Sequence, residues 1–186
     1  MKRKKSTGFT LIEVMVAVTV LVVGLLAILG LLVFSIRAGE TSFNRARAAY
    51  LAQEGIEVVR NLRDSNVFMK NPWSQGLVNS LPGSSRNCIA IFGYTASPPS
   101  WSLSTQTGWD PNNPPPAFEL KEIDSSGHLL WLQGLPAGSG TNTNYFRNIN
   151  ISRDSADKIS VVATVVWRDQ FGIHNLKMEE ELYNWF

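Results

Sequence analysis

The chain has 186 residues, of which 44% are hydrophobic and 17% are charged, and its formal net charge is +2. At roughly 150 residues per domain, this length fits one domain with an appendage and excludes a large multidomain enzyme. The apolar content argues against a disordered chain, and the small charge argues against a protein that contacts nucleic acid directly. The single cysteine, Cys88, excludes an intramolecular disulfide and a multi-cysteine metal site. We expect a buried, inert thiol there.

The first feature along the chain is a short basic leader, residues 1–8, followed by a long apolar segment, residues 9–36. In the apolar segment 22 of 28 side chains are apolar. Its uncharged run, from Val14 to Ile36, would form a helix of about 35 Å, which is enough to cross a hydrocarbon core of about 30 Å. Basic residues before a span favour a cytoplasmic N-terminus. The leader charges are Lys2, Arg3, Lys4 and Lys5.

This pattern predicts a single-pass protein of the cytoplasmic membrane, embedded in the lipid bilayer, with everything after Arg37 outside. A secretory signal peptide fits less well, because its apolar region has about 7 to 15 residues and precedes a small-x-small cleavage site. An ordinary membrane anchor fits every residue except Glu13. A carboxylate costs about 2.5–3.5 kcal/mol at the bilayer centre and somewhat less near its edge, so Glu13 needs an explanation.

The residues around Glu13 resemble the N-terminal signature of type IV prepilins and the related pseudopilins. The stretch GFTLIEVMVA, residues 8–17, follows the basic leader and joins a small residue, an aromatic residue, a glutamate and a long apolar run. The resemblance implies cleavage between Gly8 and Phe9 by a prepilin peptidase and N-methyltransferase. It also implies methylation of the Phe9 amine and retention of the apolar segment in the mature protein.

The physical chemistry of Glu13 agrees with this resemblance. In a packed filament, the new Phe9 amine of one subunit can lie against the Glu13 carboxylate of a neighbour in a low-dielectric core. Such a pair is strongly favourable relative to burying either charge alone. We therefore expect Glu13 to register assembly with other pilins or pseudopilins at an inner-membrane assembly platform.

An amphipathic segment, residues 37–64, follows the span without a proline. Apolar side chains recur there with the 3-4 spacing of a helix, so one helix from Phe9 to about Arg63, roughly 80 Å long, is expected. The stretch from Tyr50 to Asp64 resembles the corresponding helix of PilV-type minor pilins. The apolar positions are Ala48, Leu51, Ala52, Gly55, Val59 and Leu62.

Residues 65–144 contain all nine prolines and are rich in serine, asparagine and glycine, which predicts loops. Short strands are expected at residues 88–94 and 117–123, with a further strand at residues 128–132.

Three tryptophans in these predicted loops, Trp73, Trp101 and Trp109, have two interpretations. Aromatic side chains on loops often anchor a bound ligand or surface. Alternatively, the three rings cap a small hydrophobic core, which is the interpretation that we favour.

Residues 145–186 alternate with a period of two in three runs, separated by turn signals at residues 152–157 and 169–172. This pattern predicts an antiparallel β-meander with one face packed on the amphipathic half of the helix. The apolar positions of the three runs are Tyr145, Ile149 and Ile151; Ile159, Val161, Ala163, Val165 and Trp167; and Leu176, Met178 and Leu182.

No residue pattern typical of catalysis or metal binding is found. The chain has two histidines, no metal-ligand spacing and no glycine-rich phosphate loop. The acidic run of residues 179–181 lies on a predicted strand, where successive side chains point to opposite faces, so its carboxylates cannot converge. We expect no cofactor, no metal and no enzymatic activity.

These features predict an α+β, type IV pilin-like fold with a long N-terminal helix, transmembrane in its first half, packed on a small antiparallel sheet. The expected function is that of a minor pilin, incorporated into or priming a type IV pilus-like filament at the cell surface. The first alternative is a pseudopilin of a type II secretion or DNA-uptake system. The second is a membrane-anchored extracytoplasmic binding or adhesion protein, which predicts no cleavage at Gly8.

Overall fold

The protein, in the computed structural model, combines one long helix with an antiparallel β-sheet. The chain divides into two compact units, Met1–Asn44 and Arg45–Phe186. The helix begins in the first unit and ends in the second, and the second unit contains the sheet. The structure describes residues 8–78, 81–93, 100–125, 128–136 and 138–184.

Helix α1 spans Leu11–Phe68 and therefore continues five residues beyond the predicted end at Arg63. Its end is set by Lys70, whose φ of 60° lies in the left-handed region. The Asn71 N–H donates to the Asn66 carbonyl at 2.9 Å, the hydrogen bond of a Schellman helix end. Glycine usually occupies the left-handed position, so the sequence has no residue that marks this end.

In the second unit, α1 buries one face against the sheet. Five of the six predicted apolar positions are buried, and Leu62 is half-buried, so the predicted amphipathic face is confirmed. The helix approaches the sheet most closely at Gly55, where an added Cβ would lie 3.2 Å from Arg147 Cδ and 3.3 Å from Ile149 Cδ1. The buried helix residues are Ala48, Leu51, Ala52, Gly55, Ile56, Val58 and Val59.

Seven strands and one short 3-10 helix, Pro116–Phe118, follow within the described residues. The strands are β1 Ser85–Gly93, β2 Ser100–Gln106, β3 Glu119–Ser125, β4 His128–Leu132, β5 Thr141–Arg153, β6 Lys158–Asp169 and β7 Gly172–Tyr183.

Strand β5 is the centre of the sheet, and all the pairings described are antiparallel. One edge of β5 pairs with β6, which pairs in turn with β7. Its other edge is shared: residues 149–152 pair with β1, while residues 141–146 pair with β3. Strand β2 extends the sheet from β1, and β4 extends it from β3. The sheet therefore forks along this shared edge of β5.

The middle region contains more regular structure than its composition predicts. The strand expected at residues 88–94 is β1, although Tyr94 lies outside the described residues. The strand expected at 117–123 begins after the 3-10 turn, as β3, and the strand expected at 128–132 is confirmed as β4. The prediction of a loop over β2 was wrong. Its small hydroxyl side chains are typical of loops, but it pairs with β1 along its whole length.

The predicted C-terminal meander is confirmed in strands β5, β6 and β7, and β5 begins four residues earlier than expected. All five predicted core positions of β6 are buried, as are the three of β5. On β7, Leu182 is buried, whereas Leu176 and Met178 are half-buried against the core. The alternating pattern therefore identified the face of the sheet that packs on α1.

The opposite face of the sheet carries a second, smaller hydrophobic cluster. Phe146 on β5 and Val166 on β6 are paired across the strands and buried there with Phe118. Trp109 packs on Phe118, with ring centroids 4.9 Å apart at an edge-to-face angle of 60°. The segment between β2 and β3 thus covers this face, which the two-layer prediction left uncovered.

A buried charge joins the helix to the sheet. Arg147 of β5 is 0% exposed, although it lies on the face that packs against α1. Its Nη1 donates to Glu54 Oε2 at 2.8 Å and to the Leu51 carbonyl at 3.0 Å. Its Nε donates to Gln133 Oε1 at 3.1 Å, and Gln133 Nε2 donates to the carbonyls of Phe118 and Arg147, both at 2.7 Å.

Removing the Glu54 carboxylate should destabilise the second unit. In Glu54→Ala the Arg147 guanidinium would stay buried without its counter-charge. Because the Glu54 side chain is itself 38% exposed, the expected loss is about 1–3 kcal/mol of unfolding free energy, less than for a pair with both charges buried. Urea unfolding of the detergent-solubilised protein, followed by tryptophan fluorescence, measures this loss.

The control is Glu57→Ala, one turn along the same helix. Glu57 pairs with Arg60 at the surface, where such a pair contributes about 1 kcal/mol or less. The double variant Glu54→Gln/Arg147→Met, which removes both charges, should recover most of the lost stability. Equal effects of Glu54→Ala and Glu57→Ala would contradict a structural role for the buried pair.

Candidate processing and assembly site

The first turn of α1 is capped by Thr10. The helix begins at Leu11, two residues after the predicted start at Phe9. The Glu13 N–H points to both the Thr10 carbonyl and the Thr10 Oγ1, at 3.1 and 3.4 Å. Thr10 is therefore the N-cap residue, and Glu13 is the third residue of the helix. This Thr-x-x-Glu spacing is that of a capping box.

The cap explains locally why a carboxylate can precede the apolar run. The N-terminus of a helix carries a partial positive charge, and an acidic side chain in the first turn is stabilised by about 0.3–1 kcal/mol. The sequence contained this signal, since Ser or Thr three residues before Glu at the start of an apolar run predicts a helix start. The resemblance to prepilins predicts a role for Glu13 but gives none to Thr10.

The two predicted processing residues lie before the helix and are accessible. Gly8 is exposed, and the Phe9 side chain is 81% exposed. Phe9 and Glu13 line the same shallow apolar groove, of about 330 Å³, together with Val14, Ala17 and Val18. The residues on both sides of the predicted cleavage position are therefore exposed, and cleavage there stays a prediction. The leader residues Lys2, Arg3, Lys4 and Lys5 lie outside the described residues.

Beyond Glu13, the first part of α1 is an exposed apolar surface. Its large hydrophobic side chains from Val14 to Ile36 are between 46% and 71% exposed. In the described part of the chain, α1 is the one helix long and apolar enough to cross a membrane by length and composition. A surface of this kind requires either lipid or the helices of other subunits to cover it.

The three predicted binding tryptophans lie in three different places, each half-buried against a hydrophobic cluster. Trp73 packs on the main core, and the Arg153 guanidinium lies 5.8 Å from its ring centroid. Trp101 packs on the same core and on Phe92, while Trp109 packs on the cluster of the opposite face. This burial supports the core-capping interpretation, and a binding role for the three rings stays a prediction.

The predicted inert thiol is buried. Cys88 is a free cysteine with 0% exposure, and burial raises the pKa of its thiol, although Arg86 and Thr105 partly oppose this. A thiol with a raised pKa is a poor nucleophile at neutral pH. Among the residues that the structure describes, no group of three or more histidine, cysteine or acidic side chains is placed to hold a metal ion.

Sequence reasoning did not identify the buried network of Arg147, Glu54 and Gln133. The signal was present as an exception to the β5 alternation, because Arg147 occupies the apolar face between Tyr145 and Ile149. Glu54 pairs with it from a position between the apolar positions of α1. A charged residue at an apolar position of a strand therefore indicated a buried partner on the opposing element.

The comparisons with known proteins agree with this geometry. Residues 3–34 match the family model described as the prokaryotic N-terminal methylation motif. No curated protein and no solved structure matches the chain. The match covers the leader from Arg3 onward, the proposed cleavage position, Glu13 and most of the apolar segment. It supports a type IV pilin-like protein of the pilin or pseudopilin type.

The motif has direct implications for processing and location. It implies cleavage by a prepilin peptidase and assembly with other pilins. Together with the long apolar helix, it fits a membrane-anchored protein. The α+β architecture, one long N-terminal helix on an antiparallel sheet, is type IV pilin-like.

Loss of the Thr10 cap should loosen the first turn of α1. Replacing an N-cap threonine by alanine typically costs about 0.5–2 kcal/mol of helix stability. In Thr10→Ala we therefore expect the amide of Glu13 to exchange hydrogen about 2- to 30-fold faster, measured by hydrogen–deuterium exchange of the protein in lipid nanodiscs.

The matched control is Thr19→Ala. The Thr19 hydroxyl donates to the Met15 carbonyl at 2.8 Å within the helix and caps nothing, so exchange at the Glu13 amide should stay unchanged. Equal exchange rates at that amide in Thr10→Ala and in the unmodified protein would contradict the cap.

Proposed function

We propose that this chain is a minor pilin that is cleaved after Gly8, methylated on the Phe9 amine and incorporated into or used to prime a type IV pilus-like filament. The observation that carries the proposal is the arrangement of α1. An exposed apolar segment that begins with a single acidic residue matches the methylation motif, and the same helix ends on a folded sheet domain.

In the proposed mechanism, the apolar part of α1 first lies in the cytoplasmic membrane and later among the helices of other subunits. The leader charges keep the N-terminus cytoplasmic, and the sheet domain lies outside the membrane. Burial of the apolar surface drives assembly at an inner-membrane platform. The Glu13 carboxylate of one subunit receives the Phe9 amine of a neighbour, which sets the axial register of the two helices.

The role of Glu13 follows from comparing magnitudes. The helix N-terminus stabilises a carboxylate by about 0.3–1 kcal/mol, whereas moving it into an apolar core costs about 2.5–3.5 kcal/mol. The cap alone therefore cannot hold Glu13 in a filament core. A cation from another subunit supplies the missing stabilisation, and an amine is available once the leader has been removed.

We propose a structural role and not an enzymatic one. Proteins with this N-terminal methylation motif are, as a class, structural pilins. The resemblance of residues 50–64 to the helix of PilV-type minor pilins supports the minor-pilin assignment.

A pseudopilin of a type II secretion or DNA-uptake system is the alternative proposal, because pseudopilins share the N-terminal motif. The two differ in destination. A minor pilin should be recovered in filaments sheared from the cell surface, whereas a pseudopilin should stay with the cell envelope.

Substitution of Gly8 tests the processing step. The bulky side chain of Gly8→Val should block cleavage, because the peptidase must accommodate the residue that precedes the cut bond. Mass spectrometry of the membrane-extracted protein would then find the complete leader in the variant and N-methylated Phe9 at the terminus of the unmodified protein.

The control is Gly39→Val, at a glycine within α1 where an added Cβ meets no atom within 4 Å. It should be processed normally. An unmodified protein that keeps residues 1–8 would refute the pilin proposal and favour the membrane-anchored binding protein.

Substitution of Glu13 tests assembly separately from processing. In Glu13→Ala we expect normal cleavage but about a tenfold or greater loss of the protein from sheared filaments, because each 1.4 kcal/mol changes an equilibrium tenfold. Quantitative immunoblotting of filament and membrane fractions measures this ratio.

Glu40→Ala is the matched control, since Glu40 is an exposed carboxylate of the same helix beyond the apolar segment. It should leave the filament-to-membrane ratio unchanged. Full incorporation of Glu13→Ala would rule out the pairing of Glu13 with a neighbouring amine.

A further inference from the structure

A pocket of about 210 Å³ lies at the fork of the sheet, where the β1 and β3 branches leave the same edge of β5. Strands of both branches contribute to its wall, and two connecting segments complete it. Its size is below the roughly 300–1,000 Å³ of sites for drug-sized ligands, so it suits a smaller molecule. The lining residues are Ile89, Gln106, Pro116, Ala117, Glu119, Lys121, Gly134 and Leu135.

One wall of the pocket depends on a glycine. Gly134 has a φ of +70°, and a Cβ added there would lie 2.7 Å from Ile91 Cγ1. The backbone that follows β4 can therefore pass directly over β1 only without a side chain at this position. This close passage holds Gly134 and Leu135 opposite β3 and keeps the pocket walls in place.

The pocket contains an acidic group with no partner. Glu119 is 8% exposed, a degree of burial at which carboxylates are normally paired. Its backbone N–H is bonded to the Pro116 carbonyl. Within the described part of the chain, however, the structure gives the Glu119 carboxylate neither a hydrogen bond nor an ion pair. The Glu119 oxygens are not among the buried unpaired side-chain atoms, so the carboxylate reaches solvent, and a cationic group of a ligand in the pocket could contact it.

A basic group opens into the same pocket. Lys121 is half-buried and lies two residues after Glu119 on β3, across an irregularity in the pairing of β3 with β5, and both residues line the pocket. Its ammonium likewise has no ion-pair partner among the residues described. The two groups of opposite charge thus line one pocket without forming a bridge of 4 Å or less to each other.

We propose that this pocket binds a small zwitterion, a free α-amino acid, independently of the filament function. The amine of the ligand would pair with Glu119 and its carboxylate with Lys121, while the half-buried Gln106 amide lies in the same lining. Ile89, Leu135 and Ala117 offer apolar contact to the ligand side chain. A free amino acid carries both charges on one carbon, which neither a simple amine nor a simple carboxylate does.

The charge balance favours a zwitterion over a singly charged ligand. A simple amine would neutralise Glu119 but would also lie near the positive Lys121 ammonium. A simple carboxylate would neutralise Lys121 but would also lie near the negative Glu119 carboxylate. Since like charges that face each other cost free energy, a ligand with both charges is preferred. This difference makes the proposal testable with closely related compounds.

The experiment is isothermal titration calorimetry of the full-length protein in detergent micelles, with L-alanine and L-leucine as probes. We expect saturable binding of at least one of them. N-acetyl-L-leucine lacks the amine charge and L-leucinamide lacks the carboxylate, and each should bind at least about tenfold more weakly than L-leucine, as expected from loss of one charge-assisted contact. Because the assay needs neither cleavage nor filaments, its failure would not bear on the pilin proposal.

Two variants locate the site, and two controls match them in chemistry. Glu119→Gln and Lys121→Met should each weaken binding at least about tenfold. Glu122→Gln, on the same strand, and Lys177→Met, on the exposed edge strand, should bind as the unmodified protein does. Circular dichroism verifies that each variant is folded, and half-buried Lys121 keeps the test available if the Glu119 variant does not fold.

Three results would overturn the proposal. They are the absence of saturable binding of either amino acid at millimolar concentration, equal binding of N-acetyl-L-leucine and L-leucine, and unchanged binding by folded Lys121→Met.

Discussion

The sheet domain depends on one ion pair, between the fully buried Arg147 of the central strand and the partly exposed Glu54 of the helix. The Arg147 guanidinium also donates to a carbonyl of α1 and to Gln133. This one side chain therefore connects the helix, β5 and the segment after β4. Burial lowers the pKa of Arg147, and the Glu54 carboxylate opposes this shift. An ion pair of this kind adds little net stability over apolar packing. Separating its two charges is costly, however, because the guanidinium would stay buried without a partner. The pair therefore fixes one position of the helix on the sheet.

The features around this pair follow from it. Gly55 is the next residue after Glu54, and the absence of a side chain there lets Arg147 and Ile149 approach the helix backbone. Apolar packing surrounds the Arg147 guanidinium, which is 0% exposed, whereas the Glu54 side chain is 38% exposed. A helix rotated or shifted by one residue would leave the guanidinium buried and unpaired. The amphipathic half of α1 is therefore specified by charge as well as by its apolar stripe.

The sequence predicted this fold correctly where apolar residues recur with a continuous helical or strand spacing. It failed where the residue types at a position are more typical of a different local structure. The 3-4 spacing identified the buried helix face, and the alternation of β6 identified its core side chains. The end of α1 could not be read, because Lys70 occupies a position usually taken by glycine. Strand β2 resembled a loop because it is rich in serine, whereas its pairing with β1 is a property of the fold.

The candidate sites differ in the same way. Gly8, Phe9 and Glu13 form a contiguous motif, so the sequence alone suggested them. The pocket beside Glu119 brings together residues from three strands and two connections, and their proximity depends on the fork in the sheet. Arg147 lies between these cases, since its position on an apolar face was visible but its partner, Glu54, was not.

The position of β5 in the chain has a consequence for folding. All six of the other strands described here either pair with β5 or pair with a strand that does, yet β5 begins only at Thr141. Glu54 and Arg147 are 93 residues apart, so their contact closes a long loop. Proteins dominated by such distant contacts fold slowly. If the residues after the apolar segment crossed the membrane in chain order, the amphipathic half of α1 would stay uncovered until most of the chain had crossed. During that period it would be open to aggregation or to capture by a chaperone.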